Sequence, residues 1–330
     1  MVALLLSPAI KRSLLALLLA ALVAVPFVPE IIYPIFVMKV MCFVLFACAF
    51  NLLLGHTGIV SFGHAAFFGS SAYITGYALR DMGLSTEIAI LAGVLFSALL
   101  GAVFGVLAIR RQGIYLAMIT LALAQMVYFT FLQAPFTGAE DGMQPIPRGK
   151  LLGLIDMNSD LSLYFLVLAS TCGGLWLIHR IVNSPFGEVL RAIREHEPRA
   201  RSLGYAVNRY KIMAFALSAG LSGLAGSLKC VVFRLASLTD VHWHLSGDVI
   251  LMTLLGGMNS VFGPAIGAII ISALRHYFDA LGAWVTVAVG LIFIACVLLF
   301  RRGVLGEIDH LLATRFASRR IVKEQKNAQI

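Results

Sequence analysis

The stretch DVILMTLLGGMNSVFGPAIGAIIISALRHYF, residues 248–278, is apolar over most of its length and is interrupted near its middle by glycine, asparagine and proline. One helix needs about 20 apolar residues to cross the hydrocarbon core of a bilayer, so this stretch is too long for a single ordinary crossing. Glycine and proline at membrane depth are typical of broken helices, which are tolerated where protein or a cavity covers the exposed backbone. We therefore interpret the stretch as two short crossings that meet around Asn259.

The rest of the chain has the same apolar character. Its 330 residues are 60% hydrophobic and only 12% charged, with a mean hydropathy of +0.93. These values exclude an ordinary soluble protein and predict an all-α, polytopic integral membrane protein of about eight to ten transmembrane helices, forming a single domain over 1–330. The other apolar segments lie at about 13–29, 31–54, 58–79, 87–109, 113–133, 161–182, 210–233 and 281–300.

The basic residues indicate which segments share a side of the membrane. Most of them fall in four places: Lys11 with Arg12, Arg110 with Arg111, the 183–211 loop, and the 301–330 tail. Cytoplasmic loops accumulate Lys and Arg, so we expect these places, and with them both termini, on the cytoplasmic side. An even number of crossings is then required. Dividing 248–278 into two crossings gives a total of ten crossings. The alternative is eight crossings, with one apolar segment that does not span the membrane. The mixed-charge loop 134–160 becomes external, and the net charge of +9 needs no nucleic-acid partner.

The apolar segments lack the usual groups for catalysis or ion coupling. Their interiors contain no Asp or Glu, whereas proton- and sodium-coupled transporters need ionisable groups at depth. Lys39 and Lys229 are expected to extend to the interface. His64 is the one polar group to consider as a proton carrier, and a hydrogen bond between helices is the simpler interpretation. The sequence has no HExxH, GxSxG or GxxxxGKS/T motif, so we expect a non-catalytic protein without metal or cofactor.

The most polar passage of the chain is NSPFGEVLRAIREHEPRARSLGY, residues 183–205. Ser184 followed by a proline is typical of a helix start. Pro198 disfavours helical geometry in the residue before it, so the first helix should end at Glu197 and a second short helix should follow. Gly204 can take the left-handed conformation that closes a helix. The passage therefore predicts two short, charged helices.

An apolar stripe runs along the first of these helices. Phe186, Leu190 and Ile193 fall on one side of it, while nine of the 29 residues in 183–211 are charged. A stripe of this kind is what a docking helix presents to a groove on a partner. The alternative is a solvated cytoplasmic loop, which its basic charge alone would favour.

Four passages, in this order along the chain, resemble motifs of ABC-importer permeases, particularly the branched-chain amino acid (LivM-type) group. They are NLLLGHTGIVSFGHAAFFGSSAY (51–73), TGAEDG (137–142), SPFGEVLRAIREHEPRARSLGY (184–205) and VILMTLLGGMNSVFGPAIGA (249–268). The second is similar to an external TGG-x-DG turn, with Ala139 where a glycine is usual. The third is similar to the loop that couples such permeases to their ATPases.

The resemblance implies an ABC-importer permease fold and a set of partners. The chain would be a passive half-channel in the bacterial inner membrane, paired with a second permease chain. Two ABC ATPase subunits would dock inside and bind the ATP, and a periplasmic binding protein would deliver the substrate, with the 134–160 loop helping to receive it. Branched-chain amino acids are the implied substrates; urea, short amides or small carboxylates are an alternative within the same role. An autonomous ion-coupled transporter or channel is the alternative of another class.

The resemblance also implies site residues. The ATPase-coupling residues would be Phe186, Gly187, Glu188, Arg191, Ala192, Ile193, Arg194 and Gly204. Those near the translocation path would be Ser61, Gly63, His64, Gly257 and Gly263. The tripeptides SFG (61–63) and VFG (261–263) are faintly similar, which hints at paired broken segments around a path.

Overall fold

A computed structural model describes residues 17, 19–27, 33–151, 155–278, 282, 284–299 and 303. Within these residues the chain is almost entirely helical. The helices are α1 (Pro34–Thr57), α2 (His64–Arg80), α3 (Thr86–Ala108), α4 (Ile114–Gln133), α5 (Asp160–Val182), α6 (Pro185–Ser202), α7 (Val207–Phe233), α8 (Trp243–Gly256), α9 (Gly263–Tyr277) and α10 (Trp284–Leu299). A short antiparallel hairpin joins β1 (Lys150–Leu151) to β2 (Ile155–Asp156).

The first and last predicted segments are described only in part. Residues 19–24 are helical and lead into a 3-10 turn at Val25–Phe27. Lys11, Arg12 and the tail beyond Gly303 lie outside the described residues.

Helices α1 and α7 form the centre of the bundle. Their most apolar 18-residue windows are 83% and 78% buried within the chain, against 28%, 22% and 39% for α3, α4 and α5. These five are long and apolar enough to cross a membrane. The outer helices expose large apolar side chains, among them Leu99, Met126 and Trp176, and such surface is stable against lipid but not against water.

Several connections meet at one end of the bundle, which we call the basic end. It comprises residues 57–63, 109–113, 183–206 and 257–262. Arg194 donates a hydrogen bond to Asn259 (3.2 Å), and Gln112 donates one to Glu197 (3.0 Å). The chain after α10 returns to the same end, because a Cβ on Gly303 would lie 2.6 Å from the Cα of Gly257.

The connections 81–85 and 234–242 meet residues 134–151 and 155–159 at the opposite end. Arg80 donates to the carbonyl of Phe136 (3.4 Å), and Met143 pairs with Ala236 in an isolated β-bridge. The 183–211 loop and the 134–160 loop therefore lie at different ends, as their charges predict. The cytoplasmic assignment of the basic end stays a prediction.

The stretch 248–278 forms a broken hairpin, which confirms the predicted split around Asn259. Helices α8 and α9 have 14 and 15 residues, so each is about 21–23 Å long, short of a hydrocarbon core about 30 Å thick. The two helices touch through backbone, because a Cβ on Gly256 would overlap the carbonyl oxygen of Gly263. Asn51 of α1 holds the turn by donating to the carbonyl of Ser260 (2.9 Å).

The predicted segment 58–79 is helical only from His64. Residues 58–63 run as non-helical backbone into the bundle, so the first amides of α2 are buried and need side-chain acceptors. The amide of Phe62 donates to Thr120 of α4 (3.1 Å), and the amide of Ala65 donates to Ser246 of α8 (2.8 Å). Three helices thus meet at the start of α2.

Two ion pairs bear on the expectation about ionisable groups. Lys229, near the end of α7, pairs with Asp240 in the 234–242 connection: its ammonium lies 2.5 Å from the carboxylate, and both side chains are largely buried. Asp248 lies inside a helix, because α8 begins at Trp243, and it accepts from Arg275 of α9 at 2.5 Å. Removing one partner of such a pair strands the other charge, so these pairs bind their helices together.

Candidate functional site

Helix α6 begins as the sequence predicts. Ser184 is the N-cap, and its hydroxyl accepts from the amide of Gly187 (3.5 Å), with Pro185 in the first turn. Gly187 is required by a close approach, because a Cβ there would overlap the carbonyl oxygen of Val182. The helix therefore turns sharply out of α5.

The predicted break and end of α6 are also present. The break lies at His196, whose φ of −157° and ψ of 86° are not helical, one residue before the predicted Glu197. Pro198 lies two residues later; a proline inside a helix lacks the N–H for a hydrogen bond to residue i−4 and clashes with the carbonyl of that residue, which explains a break in this turn. Gly204 adopts a φ of +89°, as its closing role predicts.

The apolar stripe of α6 does not face a partner, and in this respect the interpretation is wrong. Leu190 and Ile193 are 0% and 3% exposed, and Phe186 stacks on Tyr210 at 5.6 Å between ring centres. Leu190 packs in a cluster with residues of α1, α3, α4 and α7, including Phe215. The groove that receives the stripe belongs to this chain. Gly187 and Ile193 can therefore act in coupling only by positioning α6.

What α6 presents outward is charged and small. Glu188, Arg191 and Ala192 are exposed, and Arg191 donates to Glu188 across one turn (3.1 Å). This face, defined by those three residues, is the outward face of α6. It is one exposed part of the helix, beside other exposed residues such as Pro185 and Glu195.

Arg194 ties the first half of α6 to two other parts of the basic end. Its Nη1 donates to the carbonyl of Gly55 in the last turn of α1, and its Nη2 donates to Oδ1 of Asn259 in the turn between α8 and α9. Charge-assisted hydrogen bonds of this kind are stronger than those between neutral groups. Arg194 therefore joins α6 to both α1 and the broken hairpin.

Glu197 ties the second half of α6 to the remaining helices. Its Oε2 accepts from Lys211 at the start of α7 (2.7 Å) and from Gln112 in the α3–α4 turn (3.0 Å), and its Oε1 accepts from Arg201 (3.1 Å). Sequence reasoning used Glu197 only to mark a helix end. No spacing signal could have linked it to Lys211, because the contact depends on how α6 folds back onto α7.

The predicted path residues form two groups. Ser61, Gly63 and His64 lie at the buried start of α2, and Gly257 and Gly263 lie at the turn of the broken hairpin. SFG ends directly before α2, and VFG ends with the first residue of α9, so the two tripeptides are one residue apart in register.

His64 occupies a structural position. Its ring is fully buried, and Nε2 lies 2.9 Å from the hydroxyl of Ser218. That hydroxyl donates its own hydrogen to the carbonyl of Ala49 (2.6 Å), so Nε2–H of His64 is the donor to Ser218. Phe50 and Phe67 meet the ring edge-on. The histidine joins α1, α2 and α7, as the simpler interpretation predicts.

The glycines and Ser61 shape the backbone around these groups. A Cβ on Gly63 would lie 2.9 Å from the ring of Phe104, and Gly257 has a φ of +103° that residues with a side chain rarely adopt. A Cβ on Gly263 would overlap the carbonyl oxygen of Gly257. Ser61 accepts from the amide of Gly63 (3.1 Å).

A cavity of about 640 Å³ opens at the basic end, between α6, α4 and residues 57–62. Most of its wall is apolar, and three charged side chains reach it: Arg194, Glu197 and Lys211. We call it the basic-end cavity. Within the described part of the chain, no cluster of three or more His, Cys, Asp or Glu is placed to hold a metal ion.

Residues 33–301 match the family described as branched-chain amino acid transport system / permease component. The high-affinity branched-chain amino acid transport system permease protein LivM of Salmonella typhimurium is 28% identical over 289 residues, 81% of this chain and 68% of the relative. The Escherichia coli protein of the same name is 27% identical over 259 residues, 72% of this chain and 61% of the relative.

A relative with another substrate in its name is also similar. The ribose import permease protein RbsC of Bacillus subtilis is 29% identical over 197 residues, 54% of this chain and 58% of the relative. The aligned stretch spans 68% and 61% of the two LivM proteins. No solved structure matches the chain. The family match covers most of the described helices, and the chain therefore belongs to the branched-chain amino acid transport permease family.

Proposed function

We propose that this chain is one membrane half of an ATP-driven importer in a bacterial inner membrane. It pairs with a second permease chain, and two ATPase subunits dock on the outward face of α6 and bind the ATP. A periplasmic binding protein delivers branched-chain or related amino acids to the opposite end. The family match and the two LivM relatives support this proposal. The ribose permease relative is named for an uncharged solute, so it supports the alternative that this chain carries a solute other than an amino acid.

The contact that carries the proposal is the one that Arg194 makes with Gly55 and Asn259. An ATPase that moves α6 would pull on the end of α1 and on the hairpin turn through this guanidinium. Glu197 would move the α3–α4 turn and α7 at the same time. Coupling of this kind is mechanical, and it needs no ionisable group along the path.

The non-helical backbone at the basic end is the proposed place of the path. Broken segments at membrane depth are typical of sites where transporters line a cavity. Ser61 and Gly63 at the start of α2, with Gly257 and Gly263 at the hairpin turn, would border it. His64 would stabilise this backbone through its hydrogen bond to Ser218.

The proposal is tested by purification from native membranes in mild detergent. We expect a second permease chain and ATPase chains to accompany the wild-type chain. The double exchange Glu188→Arg with Arg191→Glu keeps the ion pair within α6 while it reverses the outward charges, so it should release the ATPases and leave the chain in the membrane. Arg111→Glu, a charge reversal on an exposed residue at the same end, is the control and should keep the ATPases. A wild-type chain that purifies alone and still moves solute overturns the proposal.

The ion pairs favour a second candidate, a secondary transporter. Asp248 with Arg275, and Lys229 with Asp240, place ionisable groups within the helical bundle, where they often mark ion pathways. This candidate predicts that liposomes containing only this chain take up solute when a proton or sodium gradient is applied, and that Asp248→Asn abolishes the uptake. The importer proposal predicts no uptake in such liposomes under either gradient.

A further inference from the structure

We infer that one exposed side of α4 is the surface on which the second permease chain packs. We call this side the α4 face, and its exposed or partly exposed residues are Met118, Ala122, Gln125, Met126 and Phe129. The inference rests on the proposed function, which supplies the second chain, and it names the surface that this chain uses to bind it.

Helix α4 is the least buried of the five long apolar helices, yet it is less apolar than its neighbour α3. Its most apolar 18-residue window is 22% buried, against 28% for α3. The exposed residues of α3 are all aliphatic or phenylalanine, as lipid contact requires: Ile88, Leu91, Leu95, Phe96, Leu99, Val103, Val106 and Leu107. The α4 face instead carries an alanine, two methionines and an amide, a mixture that suits contact with protein.

Gln125 is the group on the α4 face that lipid disfavours most. It lies near the middle of α4, so its side chain is at the depth of the hydrocarbon core. The side chain is partly exposed, and no residue in the described part of the chain hydrogen-bonds to its amide. An amide without a hydrogen bond is costly in hydrocarbon, whereas glutamine side chains often hydrogen-bond between membrane helices. Gln125 therefore indicates a polar group supplied from outside this chain.

The other apolar segments of this chain pack on different helices. Tyr164 of α5 donates a hydrogen bond to the carbonyl of Leu22 (2.6 Å), which places the described part of the first segment beside α5. Helix α10 packs on α8 and α9. These contacts leave the α4 face to another chain.

The α4 face also lies beside the proposed path. Thr120 of α4 accepts from the amide of Phe62 (3.1 Å), so the non-helical residues 58–63 lie against this helix. Toward the basic end the face continues into the basic-end cavity, whose wall includes Ile114 and Met118. The apolar wall of this open cavity can receive side chains of a chain that packs on α4. A second chain in this position would enclose the path between the two permeases.

The test uses p-benzoylphenylalanine, a photoreactive amino acid, placed at one position at a time in the full complex and irradiated in native membranes. Met126 is the position on the α4 face, and Leu95 is the matched position on α3. The two residues are similarly exposed, at 66% and 61%, and each is about 18–20 Å from the end of its helix at the basic end. We expect Met126→p-benzoylphenylalanine to crosslink to the second permease chain, identified by mass spectrometry, and the Leu95 variant not to reach it. A Met126 probe that reaches only lipid, or a crosslink to that chain from Leu95 alone, overturns the inference.

A matched pair of substitutions tests the same contact by its effect on association. Ala122 on the α4 face and Ala169 on α5 are exposed alanines of long apolar helices. Phenylalanine is well accommodated by lipid but overfills a packed interface. Ala122→Phe should therefore weaken association with the second permease chain by at least about fivefold, and Ala169→Phe should leave it unchanged. Equal association in both variants overturns the inference.

The two proposals can fail separately. If the wild-type complex contains a second permease chain and ATPases but the Met126 probe crosslinks only to lipid, this inference alone is wrong. If no second permease chain accompanies the wild-type chain, the importer proposal is wrong and this inference fails with it.

Discussion

Arg194 and Asn259 are 65 residues apart in the chain, yet Nη2 of Arg194 donates to Oδ1 of Asn259 at 3.2 Å. The same guanidinium donates to the carbonyl of Gly55. One side chain therefore joins α6, the end of α1 and the turn of the broken hairpin. If the importer proposal is correct, this junction transmits ATPase movement, and weakening it should separate ATP hydrolysis from transport.

Arg194→Gln should lower ATP-dependent uptake by about tenfold or more while the complex still assembles. Glutamine cannot reach both acceptors, and hydrogen bonds to charged groups contribute about 1.5–3 kcal/mol each. Uptake and ATP hydrolysis would be measured together in proteoliposomes. Arg111→Gln is the control, because Arg111 is exposed at the same basic end and lies outside the outward face of α6. Equal losses in both variants would show that Arg194 has no special position in coupling.

The Glu197–Lys211 pair should stabilise the basic end. Lys211 is 6% exposed in its side chain, so Glu197→Ala leaves its charge largely buried without a partner. Breaking a buried pair costs about 3–5 kcal/mol, and the partial exposure of Glu197, at 18%, places the expected loss below that range, at about 2 kcal/mol. A fall in Tm in detergent would report it.

The double variant Glu197→Ala with Lys211→Met is the check on this cause. It removes both charges, so it should recover part of the Tm lost by Glu197→Ala. A double variant that is less stable than Glu197→Ala would mean that packing, and not the stranded charge, explains the loss.

Local rules in the sequence predict the features that depend on a few neighbouring residues. Ser184 starts α6, Pro198 breaks it and Gly204 closes it, because caps, proline and left-handed glycine act within one or two turns. The hairpin split near Asn259 follows from length and glycine content in the same way. These features do not depend on how distant helices pack.

The features that sequence reasoning missed depend on packing. The stripe of Leu190 and Ile193 has the same period whether it faces a partner or its own chain, and only the fold shows that it faces inward. The pairing of Lys229 with Asp240 depends on where the loop after α7 returns. Hydropathy alone also places residues 58–63 in the same apolar segment as the helix that follows them, but the backbone of these residues is not helical.

Ala139 should gain stability when it is replaced by glycine. The turn TGAEDG has alanine where the similar TGG-x-DG turn has glycine, and Ala139 adopts a φ of +51°. A left-handed conformation costs an L-residue about 1–2 kcal/mol, and glycine loses about 0.5–1 kcal/mol more entropy on folding than alanine does. Ala139→Gly should therefore stabilise the chain by up to about 1 kcal/mol, seen as a small rise in Tm. A fall in Tm would mean that the Ala139 methyl group contributes packing that exceeds the strain.

Close backbone contact between α8 and α9 should make one glycine of the broken hairpin irreplaceable. A Cβ on Gly267 of α9 would overlap the carbonyl oxygen of Met252 on α8, and backbone cannot rotate away as a side chain can. Overpacking costs about 1–3 kcal/mol, which exceeds the gain of up to about 1 kcal/mol from alanine in a helix. Gly267→Ala should therefore lower Tm and force the two helices apart.

Gly247→Ala in α8 is the matched control for Gly267→Ala. Among the residues that the structure describes, no contact lies within 4 Å of a Cβ built on Gly247, so the same substitution should leave Tm equal or slightly higher. Because both substitutions add one methyl group to a helical glycine of the same hairpin, their difference isolates the contact with Met252. If the two variants unfolded at the same temperature, the hairpin would tolerate a wider separation of α8 and α9 than the structure has, and the short helices would not depend on backbone contact for their stability.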